Sequence, residues 1–188
     1  MDADEPVRGV AEARGDGEAA AVIREHGPAI LRYLRALLRE EAMASDAFSL
    51  TTEWIWRAMP TFRGTSSVRT WAFGIAWNAA RRLREDPWHW RRELLHSSTA
   101  SRLAAEVQTA SAQELEHRAD RLAELRNELT GDEQNLLVLR IDQGLDWKEI
   151  AEVLSASGER VREAALRKRF ERTKAKIAKL AKARGIID

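Results

Sequence analysis

The run from Pro60 to Arg84 sets the tightest limits on what this chain can fold into. A polar, Gly-containing loop, Pro60-Thr61-Phe62-Arg63-Gly64-Thr65-Ser66-Ser67, leads into a segment where Val68, Trp71, Ala72, Ile75, Ala79 and Leu83 recur at three-and-four spacing. That is the period of an amphipathic helix with this face in a core. Ser66 or Ser67 is placed to cap it. A second face sets Thr70, Phe73, Trp77, Arg81 and Arg84 in register, so two large rings lie beside guanidinium groups. Such a surface can stack bases while neutralising phosphates. It can equally bury its rings against another helix while the arginines reach past them.

The flanks extend this helix into a bundle. Residues 1–17 lack an apolar period and read as a mobile tail. From Glu18 to Arg39, Ile23, Ile30, Leu34, Leu37 and Leu38 mark a first helix, with a kink or a helix start expected at Gly27-Pro28. Ser45-Asp46 is placed to cap a second helix to about Met59, with Ala47, Phe48, Thr51, Ile55 and Met59 inward. Glu85-Asp86-Pro87 ends the third. Beyond it, Trp88 and Trp90 either cover the open end of the bundle or join Arg91 and Arg92 in an aromatic-basic patch. His89 has no second ligand near it, so no metal is expected there.

Ser, Thr and Ala dominate residues 96–113, which read as a flexible linker, and a second domain is expected over 114–188. Its first helical stripe is Leu115, Leu122, Leu125 and Leu129. Thr130-Gly131-Asp132-Glu133 has capping-box spacing and opens a helix through Leu136, Leu137, Arg140 and Ile141, closed by Gly144. Asp146-Trp147-Lys148-Glu149 is a second box, followed by Ile150, Ala151 and Leu154 on the face of Trp147. The last helix carries Leu166, Phe170, Thr173, Ile177 and Leu180 on one stripe and basic residues around the rest. Two short capped helices before a basic one suggest a helix-turn-helix.

Charge and composition agree with this plan. The net charge of +1 conceals eleven Lys/Arg against three Asp/Glu from Glu159 to Arg184, a local +8 that leaves −7 for the remainder. One end is built to meet a polyanion. With 44% hydrophobic and 32% charged residues, neither class is depleted enough for wholesale disorder. The chain has no cysteine, which excludes disulfides, thiolate metal sites and thiol nucleophiles and suits a reducing cytoplasm. No apolar run reaches the length of a membrane span, and Met1-Asp2-Ala3-Asp4-Glu5 is acidic where a secretion signal would be basic. The protein is expected to stay in the cytoplasm.

The segment Trp56-Arg57-Ala58-Met59-Pro60-Thr61-Phe62-Arg63-Gly64-Thr65-Ser66-Ser67-Val68-Arg69-Thr70-Trp71, with Ile75-Ala76 and Asn78, resembles the promoter-melting region of bacterial RNA polymerase sigma factors of the extracytoplasmic-function class. Gly144-Leu145-Asp146-Trp147-Lys148-Glu149-Ile150-Ala151 and Leu154 are similar to the domain of that family that reads the −35 element, and Leu166-Arg167-Lys168-Arg169-Phe170-Glu171-Arg172 resembles its recognition helix. The two halves stand in the family's order and at its spacing. The resemblance implies an all-α fold of two small helical domains: a region 2 bundle over 18–95 and a region 4 helix-turn-helix over 114–188.

By the same resemblance, core polymerase would be met by Asp46, Ser49, Glu53, Trp56 and Arg57. The −10 strand would be met by Phe62, Arg63, Gly64, Thr65, Ser66, Ser67, Arg69, Thr70, Phe73, Trp77, Asn78 and Arg81, with Phe62 either stacking an extruded base or plugging the core. The −35 duplex would be met by Arg162, Arg167, Lys168, Arg169, Glu171, Arg172 and Lys174. The chain departs from the family at Ser45, Ser49 and Leu50, at Gly74 and Trp77 where many relatives carry arginine, and in a turn from Ser155 to Ala165 about five residues longer than usual. The expected partners are the beta and beta-prime subunits of core polymerase and promoter DNA, with an anti-sigma protein as a further candidate. No cofactor, metal or catalytic residue is expected. The alternative is a helix-turn-helix regulator that binds duplex DNA without polymerase, the front bundle serving dimerisation.

Overall fold

A computed structural model describes residues 5–86, 98–112 and 128–184. The expectations for Trp88, His89, Trp90, Leu115, Leu122 and Leu125 lie outside them. Every regular element among the described residues is helical: α1 Glu5–Leu38, α2 Glu41–Ala58, α3 Val68–Glu85, α4 Ser98–Ala112, α5 Gly131–Leu137, α6 Trp147–Ser155 and α7 Glu163–Ala183. A short 3-10 turn, Met59–Thr61, follows α2, and a π turn, Val138–Asp142, continues α5.

Helices α1 to α4 form the front bundle. Ile23, Ile30, Leu34 and Leu37 of α1 are buried with Phe48 and Ile55 of α2 and with Phe73 and Leu83 of α3. No helix starts at Gly27-Pro28, since α1 runs through Pro28. Gly27 is needed for a different reason. A Cβ there would lie 3.3 Å from both Phe48 Cζ and Val107 Cγ2, so its absence lets α1 approach α2 and α4. Helix α1 also begins at Glu5, inside the stretch expected to be a tail. Ser45-Asp46 does not cap α2, which starts one turn earlier after Glu40; Ser45 instead donates its hydroxyl to Gln108 Oε1 on α4 at 3.0 Å.

Part of the stretch expected to be linker is itself an element of the bundle. Helix α4 buries Leu103, Ala104 and Val107 against α1 and α2, an apolar spacing that the surrounding Ser, Thr and Ala conceal.

Both expected capping boxes form. Thr130 and Glu133 exchange side-chain-to-backbone bonds at the start of α5, and Asp146 and Glu149 do so at the start of α6. Gly144 adopts φ +66° and closes the π turn, with the amide of Leu145 reaching Leu139 O at 3.1 Å. Leu166, Phe170 and Thr173 of α7 are buried against α5 and α6, as the stripe predicted. The lengthened connection is an extended turn over 156–162, held by Gly158 N to Ser155 O and by Val161 N to Ser155 Oγ, both at 2.9 Å.

The rear helices pack on the front bundle rather than apart from it. Leu136, Leu137, Leu139, Ile150 and Val153 belong to the same buried cluster as Ile30 and Phe73. Tyr33 OH donates to Asn135 Oδ1 at 2.9 Å, Arg39 Nε to Gln134 Oε1 at 3.0 Å, and Arg69 Nη2 to Gln143 O at 2.5 Å.

Candidate nucleic-acid interface

Ser67 caps α3, accepting from Thr70 N at 3.0 Å, and so fixes where the loop ends and the helix begins. Before it, Arg63, Gly64 and Thr65 are exposed. Gly64 sits at φ +66°, a backbone position that a side chain would strain. Phe62 is half-buried, with its ring 4.8 Å from that of Trp71, and packs against the edge of the core.

The two faces expected on α3 hold in part: Ala72, Ala79 and Leu83 are fully buried as expected. Phe73 is fully buried, 5.4 Å from the Tyr33 ring and edge-on to it, so it cannot stack a base without unpacking the bundle. The cause is α1, which packs on that side; burying such a ring contributes about 1.5–3 kcal/mol. Thr70 is buried too, donating to Glu149 Oε1 at 3.1 Å. Conversely, Trp71 and Ile75, expected in the core, are only half-buried and line a cleft between α3 and α6. Arg69 lies over the Phe73 ring at 5.5 Å.

Trp77, Asn78 and Arg81 remain on the side facing the rear helices. Asn78 Nδ2 donates to Ala156 O at 2.9 Å. Arg81 pairs loosely with Glu85 at 3.7 Å. Gly74 explains how close the helices come: a Cβ there would lie 3.1 Å from Ala156 Cβ. An arginine at this position would not fit the packing seen here.

On α7 and the residue before it, all seven candidates are exposed: Arg162, Arg167, Lys168, Arg169, Glu171, Arg172 and Lys174. They form a mixed strip in which Arg167 meets Glu163 at 3.0 Å, Arg169 meets Asp132 at 3.5 Å and Lys174 meets Glu171 at 2.8 Å. Surface pairs of this kind contribute little to stability and are readily exchanged for phosphates. Trp147 anchors the motif, edge-on to Phe170 at 5.4 Å and flanked by Arg140 at 4.8 Å.

The residues expected to meet core polymerase are divided. Trp56 is half-buried and Arg57 exposed, but Glu53 is 5% exposed and held by Arg57 Nε at 2.7 Å. Ser49 accepts from Gln108 Nε2 at 3.3 Å, so α4 covers the Ser45–Ser49 side of α2. Asp46 is half-buried.

Several contributors escaped the sequence reading. Tyr33 and Asn135 meet across 102 positions, with no local pattern to join them. Burial lifts the Tyr33 phenol far above its usual range, keeping it a hydrogen-bond donor. Among the described residues, no cluster of three His, Cys, Asp or Glu side chains could hold a metal, and no helix is long and apolar enough to cross a membrane.

Residues 22–92 match the family model of Sigma-70 region 2. In fold, the chain is similar to CnrH as solved in complex with the cytosolic domain of CnrY, at 23% identity and a TM-score of 0.60 over 92% of this chain and 98% of that one. No curated protein matches the chain in sequence.

Proposed function

We propose, from the premise that residues 22–92 are a Sigma-70 region 2 domain, that this protein is a sigma factor of the extracytoplasmic-function class that joins core RNA polymerase and directs it to promoters. The kinship expected from the residues is borne out over that domain, and the fold shared with CnrH extends to the rear helices. The observation that carries the reading is the Ser67-capped α3 with its exposed Arg63-Gly64-Thr65 loop, inside the segment that the family model covers.

The proposed division of labour is supported by placement. The loop and the Trp77, Asn78, Arg81 side of α3 take the −10 strand, which needs donors and a ring at the point of unstacking. The exposed cations of α7 take the −35 duplex, where phosphate contacts position the helix and a few side chains read base edges. Trp56 and Arg57 meet the polymerase. The synthesis chemistry is the polymerase's, and the protein works in the cytoplasm beside it. By likeness to CnrH, which was solved with the cytosolic domain of CnrY, an anti-sigma protein is a further proposed partner.

Because α6 sits on α3, the −10 side becomes accessible only when the rear helices swing away, and polymerase supplies the surface on which both halves can spread. The capped pair α5 and α6 before a basic α7 also fits a regulator that binds duplex DNA alone. Gel shifts of a promoter fragment with and without core enzyme separate the two: a sigma factor shifts DNA efficiently only with core, whereas an equal shift without it overturns the proposal.

A further inference from the structure

Helix α4 lies along α1 and α2, and one of its side chains grips α2 in three places. Gln108 Oε1 accepts from Ser45 Oγ at 3.0 Å, while its Nε2 donates to Ser45 O and to Ser49 Oγ, both at 3.3 Å. Leu103, Ala104 and Val107 supply the apolar part of the contact, all buried, and Val107 fills the notch that Gly27 leaves beside Phe48. Ser49 stands four residues after Ser45 and seven before Trp56, so the three half-buried side chains share one stripe of α2.

This cover is built to be exchanged. The bonds of Gln108 join neutral groups, an amide with two hydroxyls and a carbonyl, and water replaces such partners at little net cost. The apolar seat is short, since Leu103, Ala104 and Val107 fall within little more than one turn of α4. Ser101, Ala105, Thr109 and Ala110 are exposed and add nothing to it. Because α4 belongs to the same chain as α2, dilution does not remove it; only a competitor for the same face, or a change in α4 itself, does.

We propose that α4 is an intramolecular competitor of core polymerase: seated on Ser45 and Ser49, it closes the N-terminal half of the stripe whose other end is Trp56, and it must lift off before the core enzyme seats fully. This role presupposes that the chain joins core through α2, as proposed for its function. It concerns a different face from the contact of α3 with α6, which covers the DNA side of the front bundle. The apparent affinity for core is lowered by the fraction of molecules in which α4 has lifted. Holding α4 down therefore weakens the complex, and loosening it strengthens the complex.

The test is binding of purified core polymerase, read by biolayer interferometry, to a full-length variant whose α4 is locked and released chemically. A Cβ at Gly27 would lie 3.3 and 3.4 Å from the two methyl carbons of Val107, which brings the β-carbons of Gly27→Cys and Val107→Cys within the span of a disulfide. The chain has no cysteine of its own to compete. The oxidised double variant is expected to bind core about tenfold or more weakly than the same protein after reduction, with wild type indifferent to the reductant. Position 27 is tightly packed, so Leu103→Ala with Gln108→Ala gives an independent arm: its loosened α4 should raise affinity for core about threefold or more. Equal affinity of the oxidised and reduced forms, or no gain in the loosened variant, would overturn the competitor and leave the sigma-factor reading standing. Failure of wild type itself to bind core would overturn that reading, and the competitor with it.

Discussion

The side-chain amide of Asn78 donates to the main-chain oxygen of Ala156 at 2.9 Å, tying the middle of α3 to the residue that closes α6. Thr70 and Glu149 repeat the tie near the N-terminus of α3, at 3.1 Å. The carboxylate of Glu149 does two jobs, since its other oxygen accepts from Asp146 N at 2.8 Å in the capping box. This side of α3 is therefore covered by the rear helices, and separating the two must break these hydrogen bonds.

Gly74 is where that closure is most sensitive to size. A Cβ would stand 3.1 Å from Ala156 Cβ, so Gly74→Val should force α3 and α6 apart at a cost of about 1–3 kcal/mol. Small-angle scattering should report a larger radius of gyration than wild type, and urea unfolding a lower midpoint. An unchanged radius at unchanged stability would mean that the two helices do not stay together in solution.

Trp77→Ala with Arg81→Ala should impair strand opening at a promoter more than it impairs closed-complex formation. Permanganate reactivity of the −10 thymines, set against gel shift of the same complexes, reads the two steps separately. Equal loss of both would count against a melting role for this side of α3. Phe73→Leu belongs to a different class. It should lower stability by about 1 kcal/mol or more, because the Phe73 ring lies in the core against Tyr33.

Charge reversal on α7 tests the other end of the proposed DNA interface. Arg167→Glu with Arg169→Glu should weaken duplex binding by the polymerase complex and flatten its salt dependence, by about 0.9 in the log–log slope for each phosphate that is no longer neutralised. Unchanged affinity and slope would remove α7 from the DNA interface.

Glu133 gives the rear domain an acid dependence. The hydrogen bond from Lys176 Nζ at 2.8 Å, followed by those at Thr130, holds its carboxyl below the usual value of 4.5, against the opposing effect of partial burial. A depressed folded-state value means that its contribution to stability is fully present above 4.5 and fades as pH falls through the folded value. Glu133→Gln should therefore be less stable than wild type at pH 7, with the difference shrinking below pH 4.5. A difference that stays constant with pH would show that the carboxylate's charge is not what holds α5 to α7.

The local chemistry of this chain could be read before its geometry. Thr130 with Glu133, Asp146 with Glu149, Ser67 and Gly144 behave as their spacing requires, because caps and turns are settled within a few residues. The faces of α3 could not be read in the same way. Phe73 and Trp71 both suit either environment, and the packing of α1 against one side and α6 against the other decided between them. Helix α4 was hidden for a related reason: Leu103 and Val107 are few among small residues, and their burial depends on a gap that Gly27 opens in a distant helix. Tyr33 and Asn135 carry no signal until the halves are packed together.

The most direct test of the central claim is run-off transcription with purified core polymerase on genomic fragments, with and without this protein. Discrete transcripts that appear only when the protein is added, and that fade with Arg167→Glu and Arg169→Glu, are the predicted result. A chain that never associates with core and starts no transcript on any template would contradict it.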